Sequence, residues 1–211
     1  NYLKFLDKGK TERECVKQIV KQAEEKGYVN LADITKDKKA LKAGDKVYSV
    51  CMDKTVALFQ IGKKKLEKGM NILGAHIDSP RMDVKQNPLY ESEEFAYLDT
   101  HYYGGIKKYQ WVTLPLALHG VVAKKDGTVI TVNVGEDKND PVFCVTDLLI
   151  HLAGEQMEKK ANKVIEGENL DVLVGSKPLE GKEKDAVKEG ILEILKEKYD
   201  MTEEDFMSAE I

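Results

Sequence analysis

The residues best suited to chemistry lie in one stretch, Asn71-Ile-Leu-Gly-Ala-His76-Ile-Asp78-Ser-Pro80-Arg-Met-Asp83. A neutral imidazole is a good Zn²⁺ ligand, and a nearby carboxylate can fix its tautomer and raise its basicity. Ile72 to Ala75 are apolar or small and predict the end of a buried strand, which Pro80 stops. Residues i and i+2 of an extended chain face the same way, which puts His76 and Asp78 on one face at the lip of a sheet. Open α/β sheets place ligands at such strand ends. A structural hydrogen-bonded pair fits the same two residues, and the residue types alone leave both readings open. The crowding of one His, two Asp, one Ser and one Arg within eight residues of a buried run adds weight to the metal reading, because every polar group there needs a partner.

Two other places carry candidate site residues. Val145, Leu148, Leu149, Leu152, Ala153 and Met157 recur at helical spacing and predict a helix of about four turns from near Thr146. On it Asp147 and His151 share a face at i and i+4, as a displayed polar site or an exposed pair. Gly104 and Gly105, set among His101, Tyr102, Tyr103, Tyr109 and Trp111, permit close backbone approach. The aromatics fit a pocket wall, a subunit contact or a packed cluster at a turn. Glu136, Asp137 and Asp140 do not match the spacing of a Ca²⁺ loop, and the Gly175–Gly181 loop lacks the ending of a phosphate loop.

The elements that position these residues follow from pattern. Thr11-Glu-Arg-Glu14 is a capping box ahead of an apolar stripe, and Gly27 closes that helix. Residues 1–10 predict the tail of a helix ending at Gly9, and residues 30–34 a short helix. Residues 47–52 and 55–61 predict paired strands turned at Asp53-Lys54, with Met70–His76 as a third strand beyond a lysine-rich turn. Gln86-Asn87-Pro88 with Glu91, Glu93 and Glu94 reads as a crossover between domains, at residue 85/86. Beyond it lie strands over 112–118, 120–123 and 128–134, with Lys125-Asp126-Gly127 as a hairpin turn. A short strand over 169–174, a helix over 182–198 and the start of a strand at the very end complete the series. The class is α/β, with a mixed sheet in a layered first domain and a β-rich second one.

Composition excludes other functions. The net charge of −4, 37 acids against 33 bases, is interspersed and gives no field for nucleic acid or lipid. No run of 18 apolar residues spans a membrane. The three cysteines form neither a metal-spaced pair nor a disulfide framework, which fits a reducing, cytoplasmic setting. The first residue is not Met and no signal peptide follows it, so the chain is expected to begin inside a longer product.

Gly74-Ala-His76-Ile-Asp78-Ser-Pro-Arg-Met-Asp83 and Tyr103-Gly-Gly-Ile106, supported by Asn139-Asp-Pro141 and Leu148-Leu-Ile-His151-Leu152, resemble the aspartyl-aminopeptidase-like family of dinuclear zinc aminopeptidases, in particular its bacterial members. The resemblance covers essentially all of the chain. It departs at Lys107–Trp111, so no preference for acidic N-terminal residues is carried over. It implies a phosphorylase/hydrolase-like α/β/α catalytic domain, here residues 1–85, with an inserted β-rich dimerisation domain over 86–211. It implies two divalent metal ions, zinc by family habit, with His76 as a ligand of one and Asp78 orienting that ring. It implies peptide substrates, Gly104 and Gly105 at the substrate, and homodimers building a dodecamer. In that assembly Asp147 or His151 approaches the neighbouring active site. The other metal ligands and the general base would follow Ile211, so the 211 residues alone read either as part of a peptidase or as an inactive assembly module.

Overall fold

The capping box sets the first unit. In the computed structural model, which describes residues 2–37 and 39–211, Thr11 Oγ1 accepts from the Glu14 amide while the Glu14 carboxylate accepts from the Thr11 amide. Helix α1 spans Tyr2–Lys8 and α2 spans Glu12–Glu25, burying Cys15, Val16 and Ala23. Strand β1 (Val29–Asn30) leads into α3 (Leu31–Lys36), whose N-cap is the Asn30 side chain. Strands β2 (Lys46–Cys51) and β3 (Thr55–Gln60) form the expected hairpin, with Met52 and Asp53 both at positive φ in its turn. β1 pairs parallel to β2, giving a mixed sheet ordered β1-β2-β3.

The third strand predicted over Met70–His76 does not form. That segment pairs with nothing in the sheet, and Ile72 and Leu73 stand 80% and 99% exposed. An apolar run becomes a strand only where neighbouring backbone and a covering face accept it.

The second compact unit begins at Pro80, the first ending at Ser79. The crossover predicted at Gln86-Asn87-Pro88 is instead the middle of a long strand, β4 (Arg81–Ser92). It pairs antiparallel with β5 (Phe95–Tyr103) through a turn in which Glu93 and Glu94 take positive φ. The register slips between Val84 and Leu89, and that irregularity absorbs Pro88, which has no N–H to give a ladder. β6 (Leu118–Ala123) and β7 (Val129–Val134) form the hairpin predicted around Gly127, where Asp126 Oδ1 accepts from the Thr128 amide. Residues 112–116 make only single bridges, Val112 to Val145 and Leu116 to Phe143.

β8 (Cys144–Val145), a single helical turn α4 (Gly154–Met157), β9 (Val172–Gly175), α5 (Ala186–Tyr199) and β10 (Ala209–Glu210) complete the chain. The sheets run β4-β5-β9-β8 and β10-β6-β7. Leu98, Val122, Val145, Leu170, Val172, Val187, Met201 and Phe206 close the core of this unit. The fold is thus α/β with distinct helical and sheet regions. No helix among the described residues is long and apolar enough to cross a membrane.

Two contacts that fix α5 carry predictions. Asp185, its N-cap residue, makes no side-chain cap. Glu91 of β4 caps in its place, Oε2 accepting from the Val187 and Lys188 amides at 2.9 and 2.8 Å. Orphan amides at a helix start and the positive end of its dipole both favour a carboxylate there. Glu91→Ala is expected to cost about 1–2 kcal/mol in urea unfolding, and Glu91→Gln, which keeps an acceptor but no charge, roughly half of that.

At the far end Asp200 accepts from Lys196 Nζ (2.6 Å) and Lys124 Nζ (2.8 Å). These ammonium groups hold its carboxyl down at about 2. Its stabilising contribution is therefore present above the unfolded value near 4 and is lost as pH falls through about 2. Asp200→Asn tolerates the left-handed backbone at this position, where φ is 51°. Urea midpoints of this variant are expected to fall below wild type at pH 5 and to converge with it toward pH 2, the gap shrinking in high salt.

Candidate metal-ligand site

His76 and Asp78 come together although the strand that was to carry them does not form. His76 Nδ1 lies 3.0 Å from the Asp78 carbonyl oxygen and 3.4 Å from its carboxylate Oδ1. The imidazole side chain is 84% exposed. With the proton on Nδ1, donated to Asp78, the lone pair is left on Nε2, one of the two ring nitrogens through which a neutral imidazole binds metal. The pair fits a divalent cation at one coordination position. It does not close a site: among the described residues no group of three or more His, Cys, Asp or Glu side chains is placed to hold a metal ion.

Arg81 lies in the same stretch. Its guanidinium is engaged: Nε donates to Asp83 Oδ1 at 2.6 Å, and the group lies 4.7 Å from the centre of the Tyr103 ring. Gly104, next to that tyrosine, has φ 76°, and a Cβ there would meet Pro80 Cγ at 3.4 Å. Gly105 faces open space, with nothing within 4 Å of a Cβ position. The paired glycines therefore make a tight, bare turn at the end of β5, as their type suggests.

The helix predicted from Thr146 is a correction. Residues 146–153 are irregular and only Gly154–Met157 is helical, so Asp147 and His151 do not share a helix face. Asp147 Oδ1 accepts from the Leu148 amide (2.8 Å) and from Gln156 Nε2 (2.9 Å). A short carboxylate that binds the next backbone amide offers the chain an alternative to the helix. Leu148, Leu149, Ile150 and Leu152 are all exposed, so the run has no buried face to organise a helix. His151 sits exposed in the turn before α4.

Asp140 is held within its own loop. Its carboxylate accepts from the Gly135 amide at 2.8 Å and the Asp137 amide at 3.3 Å, and these amides hold its pKa below the usual range. One polar pair was not singled out from sequence. His119 of β6, its side chain only 9% exposed, has Nε2 3.2 Å from Glu136 Oε1. The signal was its cross-strand register: His119 faces Asn133 on β7, which brings the residues just after β7 to its side.

The profile of the family described as aminopeptidase I zinc metalloprotease (M18) matches residues 5–211. The chain belongs to the M18 family. It is 62% identical over 208 residues to a probable M18 family aminopeptidase 1 of Clostridium acetobutylicum, covering 98% of this chain and 45% of the relative. A crystal structure of an M18 aminopeptidase from Thermotoga maritima superposes with a TM-score of 0.91 at 46% identity, over 99% of this chain and 45% of that one. That of aminopeptidase I from C. acetobutylicum gives 0.87 at 60% identity, over 99% and 46%. The chain thus spans just under half the length of the M18 relatives it matches. The M18 resemblance seen in the His76 motif holds along the whole chain, including the stretches where the local structure departs from the pattern.

Proposed function

We propose that the full-length protein is a zinc-dependent aminopeptidase that removes N-terminal residues from peptides. The observation that carries this reading is the His76 ring, tied at Nδ1 to Asp78 and open at Nε2, in a chain of the M18 family. His76 Nε2 would hold one of two zinc ions, the remaining ligands and the general base coming from residues that follow Ile211. When bound, such a pair would supply Lewis acidity toward the scissile carbonyl. Asp78 keeps the imidazole proton on Nδ1 and fixes the ring. The bare backbone at Gly105, in the second unit, leaves room for the main chain of a peptide. Residues 1–85 belong, on this reading, to a phosphorylase/hydrolase-like α/β/α catalytic domain, and 86–211 to an inserted dimerisation domain of a dodecamer. Asp147 or His151 would then reach toward the active site of a neighbouring copy. Three free thiols support a cytoplasmic location.

The exposed run Leu148-Leu-Ile150 with Leu152 favours a second reading for the 211 residues taken alone, an assembly module without activity.

Peptides with free and acetylated N-termini separate the main reading from other peptidase classes. The full-length protein is expected to release residues one at a time from the free peptide only, to lose activity to a zinc chelator and to regain it with added zinc. Cleavage of the acetylated peptide, or full activity in chelator, would overturn it.

A further inference from the structure

The first unit contains an open cleft of about 770 Å³ between the end of α2, β1, α3 and the loop ahead of β2. Lys26, Lys42 and Lys46 stand at its rim and Val29, Ile34 and Ala40 line it with apolar surface. Lysines near a helix C-terminus often just neutralise its carbonyls. That accounts for Lys46, whose Nζ donates to the Lys26 carbonyl at 3.1 Å and lies 5.7 Å from the Tyr28 ring centre. It does not account for Lys42, which sits in the loop. Among the described residues neither Lys26 nor Lys42 makes an ion pair, whereas Lys39 is spoken for by Asp37 at 2.7 Å. Asp45 is the acid in the lining, and its Oδ2 already accepts from the Lys42 amide at 2.7 Å. The rim therefore carries three ammonium groups against one carboxylate, above a floor on which Val29 is 49% exposed.

We propose that this cleft binds a small ligand with an apolar body and a dianionic head, of which a phosphate monoester is the matching class. The head has the charge that the rim lacks and several acceptor oxygens for separate ammonium donors. The body covers Val29, which is exposed, and the open side of the half-buried Ile34.

The probe is phenyl phosphate, titrated into the ¹⁵N-labelled 211-residue chain, with inorganic phosphate, phenol and succinate as comparison arms. Saturable shifts are expected at the amides of Gly27, Val29 and Gly44. Phenyl phosphate is expected to bind more tightly than any comparison arm and to weaken as NaCl rises from about 20 to about 300 mM. Lys26→Ala and Lys42→Ala are each expected to weaken it about twofold to fivefold, and together roughly tenfold. Neither side chain holds another element, so amide dispersion away from the cleft stays as in wild type. The proposal is overturned if no shift saturates, if the double variant binds as wild type does, or if any comparison arm binds as tightly. Succinate matching phenyl phosphate would mean that charge alone is read, and phenol matching it that the lysines are not read.

Discussion

His76→Ala in the full-length protein is expected to lower peptidase turnover by about a thousandfold or more and to remove about one of two zinc equivalents. On the proposed reading the imidazole would contribute a coordination bond through Nε2. Its side chain is 84% exposed, so the substitution leaves the fold intact and the loss reads on the site. Asp78→Asn is expected to do less, about tenfold to a hundredfold. The reason is in the geometry: the shorter contact to Nδ1, 3.0 Å, is to the backbone carbonyl of Asp78, which the substitution keeps, and only the 3.4 Å carboxylate contact is lost. Metal content by atomic spectroscopy alongside the turnover rate checks both. Unchanged zinc and unchanged rate in His76→Ala would remove the ligand assignment. A rate loss in Asp78→Asn equal to that of His76→Ala would show that the carboxylate, and not the carbonyl, holds the ring.

What could be read from sequence was local in origin. Thr11 and Glu14 satisfy each other's backbone within one turn, so the start of α2 needs nothing from afar. Gly127 takes positive φ by residue type in the turn that sets the β6–β7 register, whereas the first hairpin, read as turning at Asp53-Lys54, has Met52 and Asp53 at positive φ. The pairing of His76 with Asp78 also survives, because two residues of chain suffice to bring them together. The misreadings share the opposite cause. The apolar runs 70–76 and 148–152 have strand-like and helix-like patterns, but pattern becomes structure only when something covers it, and both runs are exposed. Gln86-Asn87-Pro88 has the composition of a loop, yet the slip between Val84 and Leu89 carries β4 through it. The capping of α5 by Glu91, far away in sequence, leaves no local mark at all. The shared face expected of Asp147 and His151 was not legible, since it depended on a helix that does not form.

Gly120→Ala is expected to destabilise the second unit by about 3 kcal/mol, toward the upper end of overpacking penalties. The reason lies in how the chain's last strand docks. β10 pairs antiparallel with β6, Ala209 opposite Val122 and Glu210 opposite Val121. At Gly120 a methyl group would run into the Glu210 carbonyl oxygen and stand 2.6 Å from the Ile211 Cα. Both are backbone atoms, so no rotamer change relieves the clash, and the end of the chain must move off. That movement strips more than the β6 ladder, because the Ile211 carbonyl also accepts from the Val84 amide of β4 at 2.8 Å. One methyl group is thus expected to loosen a segment that touches strands of both sheets, while β7, on the other side of β6, keeps its register. Hydrogen exchange locates the effect: Val84 is expected to lose protection first, with Val121 and Val122 following, and the Ile130 and Val132 amides to change little. A urea midpoint equal to wild type, with Val84 still protected, would mean that the last residues do not hold β4 and β6 together.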